Sequence, residues 1–321
     1  MLFLTTDGLV KSAQKISNSY GNLPYTLDTL DYFGYGATCL GDQDGDGVAD
    51  VAIGALLDDD GGTSTGAAYV LFLTTDGLVK SAQKISNSYG NLPLTLAVNH
   101  RTGYDTEAIG DLDGDGVGDL AVGCGVWGSN GRGQILILFL TTDGLVTSAQ
   151  RIDRSYGNFP YFVANWDIFG GSVTNLGDLD GDGVNDLLAG MHGDDDGSAT
   201  GSGAVAVMFL TTDGLVKSAQ KISNSYGSLS SFYTLGSSDY LGRSSSTLGD
   251  LDGDGVVDVV AGAAGDDDGG SAAGAVYILF LTTDGLTKST QKISNSYGNL
   301  SPFYTLGSSD NFGHSSSTLG D

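Results

Sequence analysis

Glutamate is almost missing from this chain. Of its 39 acidic residues one alone, Glu107, is glutamate and the rest are aspartate, against 13 lysines and arginines, for a net charge of -26 over 321 residues. Long flexible carboxylates that coat helices are therefore absent, and a helical bundle or coiled coil is excluded. Basic residues are too few and scattered to form a phosphate-binding surface, so nucleic acid is not an expected partner. A helix needs ~20 residues, mostly apolar, to cross a bilayer. The longest strongly apolar run, Ile135 to Leu140, falls far short of that, so no membrane span is expected. Two cysteines, Cys39 and Cys124, occupy non-equivalent repeat positions. They give neither a disulfide framework nor a thiolate metal site, and both read as small buried residues. The N-terminus lacks a basic segment followed by an apolar one, so it does not read as a signal peptide.

What the chain has in abundance is glycine, 52 residues, and a repeat. Thr-Thr-Asp-Gly recurs with its aspartate at Asp7, Asp76, Asp143, Asp213 and Asp284, at nearly constant intervals. The segment from Leu2 to Pro24 returns letter for letter at Leu71 to Pro93. One unit of this size must account for the whole fold. The units run approximately over 1–24 (partial), 25–93, 94–160, 161–230, 231–301 and 302–321 (partial) of a single region 1–321. The chain reads as four complete units with a fifth split between its ends, part of a longer array.

Within a unit the pattern predicts four short strands: Gly36 to Leu40, Val51 to Ala55, Ala67 to Leu73 and Val79 to Ile85. Asp76-Gly77 supplies the left-handed backbone of a hairpin turn between the last two. Small residues lie on the first strand and lysines on the fourth: Lys11, Lys15, Lys80, Lys84, Lys217, Lys221, Lys288 and Lys292. Together they describe a blade with a charged outer edge, the lysines acting as edge protectors. The expected fold is all-β, a β-propeller of four-stranded antiparallel blades, each of about 69 residues. Solenoid coils repeat at a shorter period, roughly 20–45 residues at most, and the short-coil kinds fit poorly.

The chemistry concentrates in one loop between the first and second strands, Asp-x-Asp-x-Asp-Gly-x-x-Asp. Its aspartates are Asp42, Asp44, Asp46 and Asp50; Asp111, Asp113, Asp115 and Asp119; Asp178, Asp180, Asp182 and Asp186; Asp250, Asp252, Asp254 and Asp258. Carboxylates stand at positions 1, 3, 5 and 9, a turn glycine at 6 (Gly47, Gly116, Gly183, Gly255) and a carbonyl at 7 (Val48, Val117, Val184, Val256). These oxygens converge on a hard dication. Many flexibly arranged protein oxygens suit Ca²⁺ better than Mg²⁺, with about four sites expected. A helical EF-hand would carry an acid at position 12. This chain has Ile53, Val122, Ala189 and Ala261 there, so these loops lead into strands.

At these residues the chain resembles the FG-GAP repeats of integrin α-subunit propellers and their bacterial relatives, along essentially its whole length. The Phe-Gly element stands at Phe33-Gly34, Phe169-Gly170 and Phe312-Gly313, and is weakened to Leu241-Gly242 and Thr102-Gly103. The Gly-Ala element stands at Gly54-Ala55 and Gly262-Ala263, with Gly123-Cys124 and Gly190-Met191 as departures, and the proline that follows it in the family is absent. The resemblance implies a propeller whose first hairpins bind calcium, in an extracellular or cell-surface protein of recognition or adhesion, with a protein or glycan ligand.

A second loop, between strands two and three, reads Asp-Asp-Asp-Gly at Asp58 to Gly61, Asp194 to Gly197 and Asp266 to Gly269, a solvated acidic turn or an additional cation site. In the second unit Trp127-Gly-Ser-Asn replaces it. Aromatic and arginine side chains gather on the neighbouring loops: His100, Arg101, Trp127, Arg132, Tyr161, Phe162 and Trp166. They form a candidate partner surface. A lectin using repeated tyrosines (Tyr20, Tyr89, Tyr156, Tyr226, Tyr297) is the alternative function, and an open array end permits self-association. No catalytic constellation assembles around His100, His192 and His314, and the chain reads as non-enzymatic, although it could sit beside an enzyme domain.

Overall fold

The computed structural model describes residues 1–125, 131–196 and 199–318. It is all-β, with one short 3₁₀ turn at Leu229–Ser231 among the described residues. Two compact units divide it: residues 1–120 with 138–149, and residues 121–137 with 150–321.

The first unit opens with a two-stranded hairpin, β1 (Leu2–Leu4) and β2 (Val10–Ala13). A four-stranded sheet follows, β3 (Phe33–Gly41), β4 (Asp50–Ala55), β5 (Ala67–Leu73) and β6 (Val79–Ile85), in the order β3-β4-β5-β6. Every pairing in it is antiparallel. The division between units passes through the next sheet, β7 (Thr102–Gly110), β8 (Asp119–Cys124), β9 (Gln134–Leu140) and β10 (Val146–Ile152), which has the same order. The second unit holds two more sheets of this blade type. One is β11 (Phe169–Gly177), β12 (Asp186–Met191), β13 (Ala204–Leu210) and β14 (Val216–Ile222). The other is β15 (Leu241–Gly249), β16 (Asp258–Ala263), β17 (Ala275–Leu281) and β18 (Thr287–Ile293).

The third and fourth strands of the first full blade fall where the pattern places them, at Ala67–Leu73 and Val79–Ile85. Its first strand differs, beginning at Phe33 rather than Gly36. The register slips between Phe33 and Ala37, at a bulge in which Gly34 adopts φ 93°. The sequence pattern starts this strand at Gly36, but left-handed backbone inside a bulge lets pairing extend back to Phe33. The third strands are buried along their full length in β5, β9 and β13, which accounts for their unbroken apolar runs. In the second unit Val205, Val207, Phe209, Leu188, Val259, Tyr277 and Leu279 share one core.

Small residues on the first strands serve contacts between successive blades. Gly54 lies so close to Gly103 that a Cβ there would collide with the Gly103 carbonyl oxygen. Gly190 meets the carbonyl of Gly242, and Gly262 that of Gly313, in the same way. The Phe-Gly and Gly-Ala elements are thus two halves of one backbone contact. Hydroxyls complete the seam in the second unit, where Ser172 donates to the Gly242 carbonyl at 3.2 Å and Ser244 to the Gly313 carbonyl at 3.0 Å. Cys124 is buried as expected, whereas Cys39 is exposed, because β3 shows much of its length to solvent.

Candidate metal centre

Each aspartate loop is a tight bend built on two left-handed glycines. Gly45 and Gly47 have φ of 79° and 87°, and the other loops repeat the pair at Gly114 and Gly116, Gly181 and Gly183, and Gly253 and Gly255. Nothing lies within 4 Å of a Cβ built on any of them, so backbone conformation rather than space demands glycine here. Sequence reasoning assigns a role to position 6 and overlooks position 4, though glycine stands there in all four copies.

Position 1 ties the bend together: Asp178 accepts from the amides of Gly181 at 2.8 Å, Asp182 at 2.9 Å and Gly183 at 2.8 Å. Asp42, Asp111 and Asp250 likewise accept from the position 6 amide. Position 9 is buried and fastens the loop to the sheet. Asp186 accepts from Leu179 at the loop's second position and from Leu210 at the end of β13, both at 3.0 Å. Asp50, Asp119 and Asp258 are held likewise. Burial pushes Asp119 and Asp186 up to about 6, against the pull of these amides, and raises Asp50 and Asp258 as well.

The carboxylates converge. Oxygens of Asp42, Asp44 and Asp50 lie within 4.8 Å of one another, as do those of Asp111, Asp113 and Asp115, of Asp178, Asp180 and Asp186, and of Asp250, Asp252 and Asp254. An all-oxygen donor set of clustered carboxylates on a flexible loop fits a hard divalent cation, and the larger Ca²⁺ over Mg²⁺.

The fourth-strand lysines are more than edge protectors. Lys80 reaches Asp44 at 2.6 Å and also Asp46; Lys217 reaches Asp180 at 2.7 Å and also Asp182; Lys288 reaches Asp252 at 2.9 Å and also Asp254. Hydrogen bonds from these ammonium groups hold Asp46, Asp182 and Asp254 below the usual carboxylate range. The second loop has Thr147 at the corresponding place, and its hydroxyl donates to the Phe139 carbonyl at 3.1 Å. Among the described residues no lysine or arginine pairs with Asp111, Asp113 or Asp115.

The next lysine along each strand answers the other acidic loop, whose first and third aspartates are paired while the middle one faces solvent. Lys221 lies 2.7 Å from Asp194 and 2.8 Å from Asp196, and the side chains of Lys221 and Asp194 are both buried. Lys84 joins Asp58 and Asp60, and Lys292 joins Asp266 and Asp268. Burial opposes the charge on these lysines, yet hydrogen bonds to both aspartates hold each ammonium above its ordinary range. The cation of the acidic triplet is therefore a lysine. In the repeat spanning 94–160 the triplet is missing and Arg151 instead pairs with Asp153 at 3.0 Å.

The repeated tyrosines are neither core nor open platforms. Tyr89, Tyr226 and Tyr297 are about half exposed, and each has a lysine ammonium over its ring at 5.7, 5.5 and 5.4 Å respectively. The candidate partner residues separate. In the first unit His100 is buried, while Arg101 adopts φ 53° with its amide bonded to the Ser64 carbonyl. Trp127 lies outside the described residues. In the second unit Tyr161 is committed to packing, its hydroxyl accepting from the Lys221 amide and donating to the Ala219 carbonyl. Phe162 (63%) and Trp166 (52%) stay exposed, and Arg132 donates to Asn165, the residue before Trp166, at 3.0 Å.

Residues 242–279 match the family described as FG-GAP repeat. The chain is 34% identical over 165 residues to integrin alpha-PS5 of Drosophila melanogaster, covering 51% of the chain and 15% of that protein. It is 31% identical over 169 residues to integrin alpha-IIb of Homo sapiens, covering 50% and 15%. Similarity to integrin alpha pat-2 of Caenorhabditis elegans runs over 269 residues at 24% identity, covering 77% of the chain and 19% of that protein. The chain thus spans less than a fifth of the length of each of these relatives. The resemblance to integrin-type FG-GAP repeats is borne out by these matches. No helix among the described residues is long and apolar enough to cross a membrane.

Proposed function

We propose that the chain is a calcium-stabilised recognition module of the integrin-type FG-GAP class, working at an extracellular or cell-surface location. The observation that carries this reading is the fourfold recurrence of one loop conformation with three carboxylates brought within 4.8 Å. In each loop the carboxylates at positions 1, 3, 5 and 9 and the carbonyl of Val48, Val117, Val184 or Val256 would hold the ion. Bound calcium supplies a charge-neutralising cross-link between the loop and the sheet. The chain's own residues do the rest: position 9 anchors the loop to strand three, and the left-handed glycines fix the bend that brings positions 1, 3 and 5 together.

Extracellular sites of low affinity have dissociation constants of roughly 10⁻⁴ to 10⁻³ M, which suits a structural ion at millimolar calcium. A site of about 10⁻⁴ M contributes about 1.4 kcal/mol at about 1 mM calcium by mass action. The curated relatives are integrins, so adhesion through a protein ligand is the activity proposed. Phe162, Trp166 and Arg132 form its contact surface on the second unit, aromatic and arginine side chains being the usual anchors of such surfaces. A glycan platform is less well supported, because each repeated tyrosine ring already carries a cation, a lysine at Tyr20, Tyr89, Tyr226 and Tyr297 and Arg151 at Tyr156. The test is metal analysis of the chain dialysed against calcium, followed by melting with and without chelator. Bound calcium and a clear fall in melting temperature on chelation are expected; a metal-free protein with a chelator-insensitive melt refutes the proposal.

A further inference from the structure

We propose that the four loops are not equivalent: the loop of Asp111, Asp113, Asp115 and Asp119 is the tight divalent-cation site, while the fourth-strand lysine makes the other three self-neutralised sites that yield to calcium only when it withdraws. The inference rests on the calcium reading above and concerns residues outside the loops themselves.

Three ammonium groups, those of Lys80, Lys217 and Lys288, bridge positions 3 and 5 of their loops, where a dication would be coordinated. A dication there competes with the ammonium for the same carboxylates. Calcium binding at these loops therefore weakens or displaces the ion pairs and leaves a positive charge a short way from the incoming ion. Lysine can do this, because its side chain there is 26% to 36% exposed and its long stem is free to swing toward water. At the second loop no such competitor stands among the described residues. Thr147 is turned onto its own sheet, and its loop is otherwise built alike, with Asp111 accepting from Gly114 and Gly116 and Asp119 from Leu112 and Leu140. The difference between the loops is thus concentrated in one side chain on another strand of the blade.

An exposed ion pair together with like-charge repulsion across solvent corresponds to an affinity difference of about threefold to tenfold. In the absence of calcium the same lysine has the opposite effect, since it relieves repulsion among carboxylates that would otherwise stand uncompensated.

The experiment compares the wild-type chain with Thr147→Lys and with the triple variant Lys80→Thr, Lys217→Thr, Lys288→Thr. Calcium titration calorimetry and terbium luminescence give affinity, and melting in chelator and in calcium gives stability. The wild type should fill one site ahead of three; Thr147→Lys should lose the early class; the triple variant should bring all four together at the tighter affinity. The triple variant should also melt below the wild type in chelator and above it in calcium, a crossing that a merely structural role for the lysines would not produce. Four equal sites in the wild type, or a Thr147→Lys isotherm that superimposes on it, overturns the inference while leaving calcium binding intact. Absence of calcium and terbium binding in all three proteins overturns the calcium reading and this inference with it.

Discussion

Replacing Lys221 by methionine deletes the ammonium that joins Asp194 and Asp196 and lies over the Tyr226 ring, while keeping most of the aliphatic stem. Lys221 and Asp194 expose only 4% and 5% of their side chains, so the carboxylate left behind has little water to turn to. Breaking a buried pair from one side costs about 3–5 kcal/mol, which for a chain of this size lowers melting by roughly 4 to 7 °C. The control is Lys217→Met, earlier on the same strand, whose pair with Asp182 is 36% exposed on both partners. Screening by water limits its loss to about 1 kcal/mol or less. Both variants are melted in chelator, so that metal occupancy does not enter. Adding Asp194→Asn and Asp196→Asn to Lys221→Met should recover much of the stability, because a buried ion pair is harmful chiefly when half of it is missing. A Lys221→Met protein that melts no lower than Lys217→Met refutes the reasoning.

Gly190→Ala drives a Cβ into the Gly242 carbonyl oxygen. Overpacking against rigid backbone should cost about 3 kcal/mol in urea denaturation. Gly183→Ala meets open space. Its left-handed backbone should cost roughly 1–2 kcal/mol, and a loss equal to that of Gly190→Ala counts against the seam. Asp186→Ala strands the amides of Leu179 and Leu210 and should release one equivalent of bound calcium by metal analysis. Two buried donors left without partners should destabilise by about 2–4 kcal/mol. Asp167 and Asp239 are pushed by burial from 3.8 to about 6. Folding therefore favours their protonated forms, so their contribution is fully present below about pH 4 and is lost as pH rises through about 6. Melting in chelator across this interval should show a descending component that Asp167→Asn with Asp239→Asn removes; an unchanged slope in that variant counts against the assignment.

Much of this was legible because the informative signals are local. The Asp-Gly turns, the apolar run of Ala67–Leu73 and the aspartate loops each declare themselves within a few positions. What escaped is action at long sequence separation. Lys80 meets Asp46 across 34 residues and Lys217 meets Asp180 across 37, so a lysine that looks like an edge charge in its own strand is a counter-ion in space. A signal for it was present: the lysine seen at Lys80, Lys217 and Lys288 gives way to Thr147 in the one complete unit that also lacks the acidic triplet. The sequence pattern names Asp186 as a ligand, but its anchoring role hid in the same way, because its chain-distant partner Leu210 is a backbone amide, which leaves no mark in residue identity. The bulge at Gly34 was unreadable from one strand alone, since its purpose lies in the register with β4.

The glycine-to-glycine seams have an evolutionary corollary. A joint made by Gly54 against Gly103, or Gly190 against Gly242, is built on backbone, with only a small hydroxyl such as that of Ser172 beside it. Copies of the unit can be duplicated, shuffled or allowed to drift without recoding the junction, as interchangeable cassettes sharing one connector. Such a connector is compatible with a segment recurring unchanged at Leu2 to Pro24 and Leu71 to Pro93.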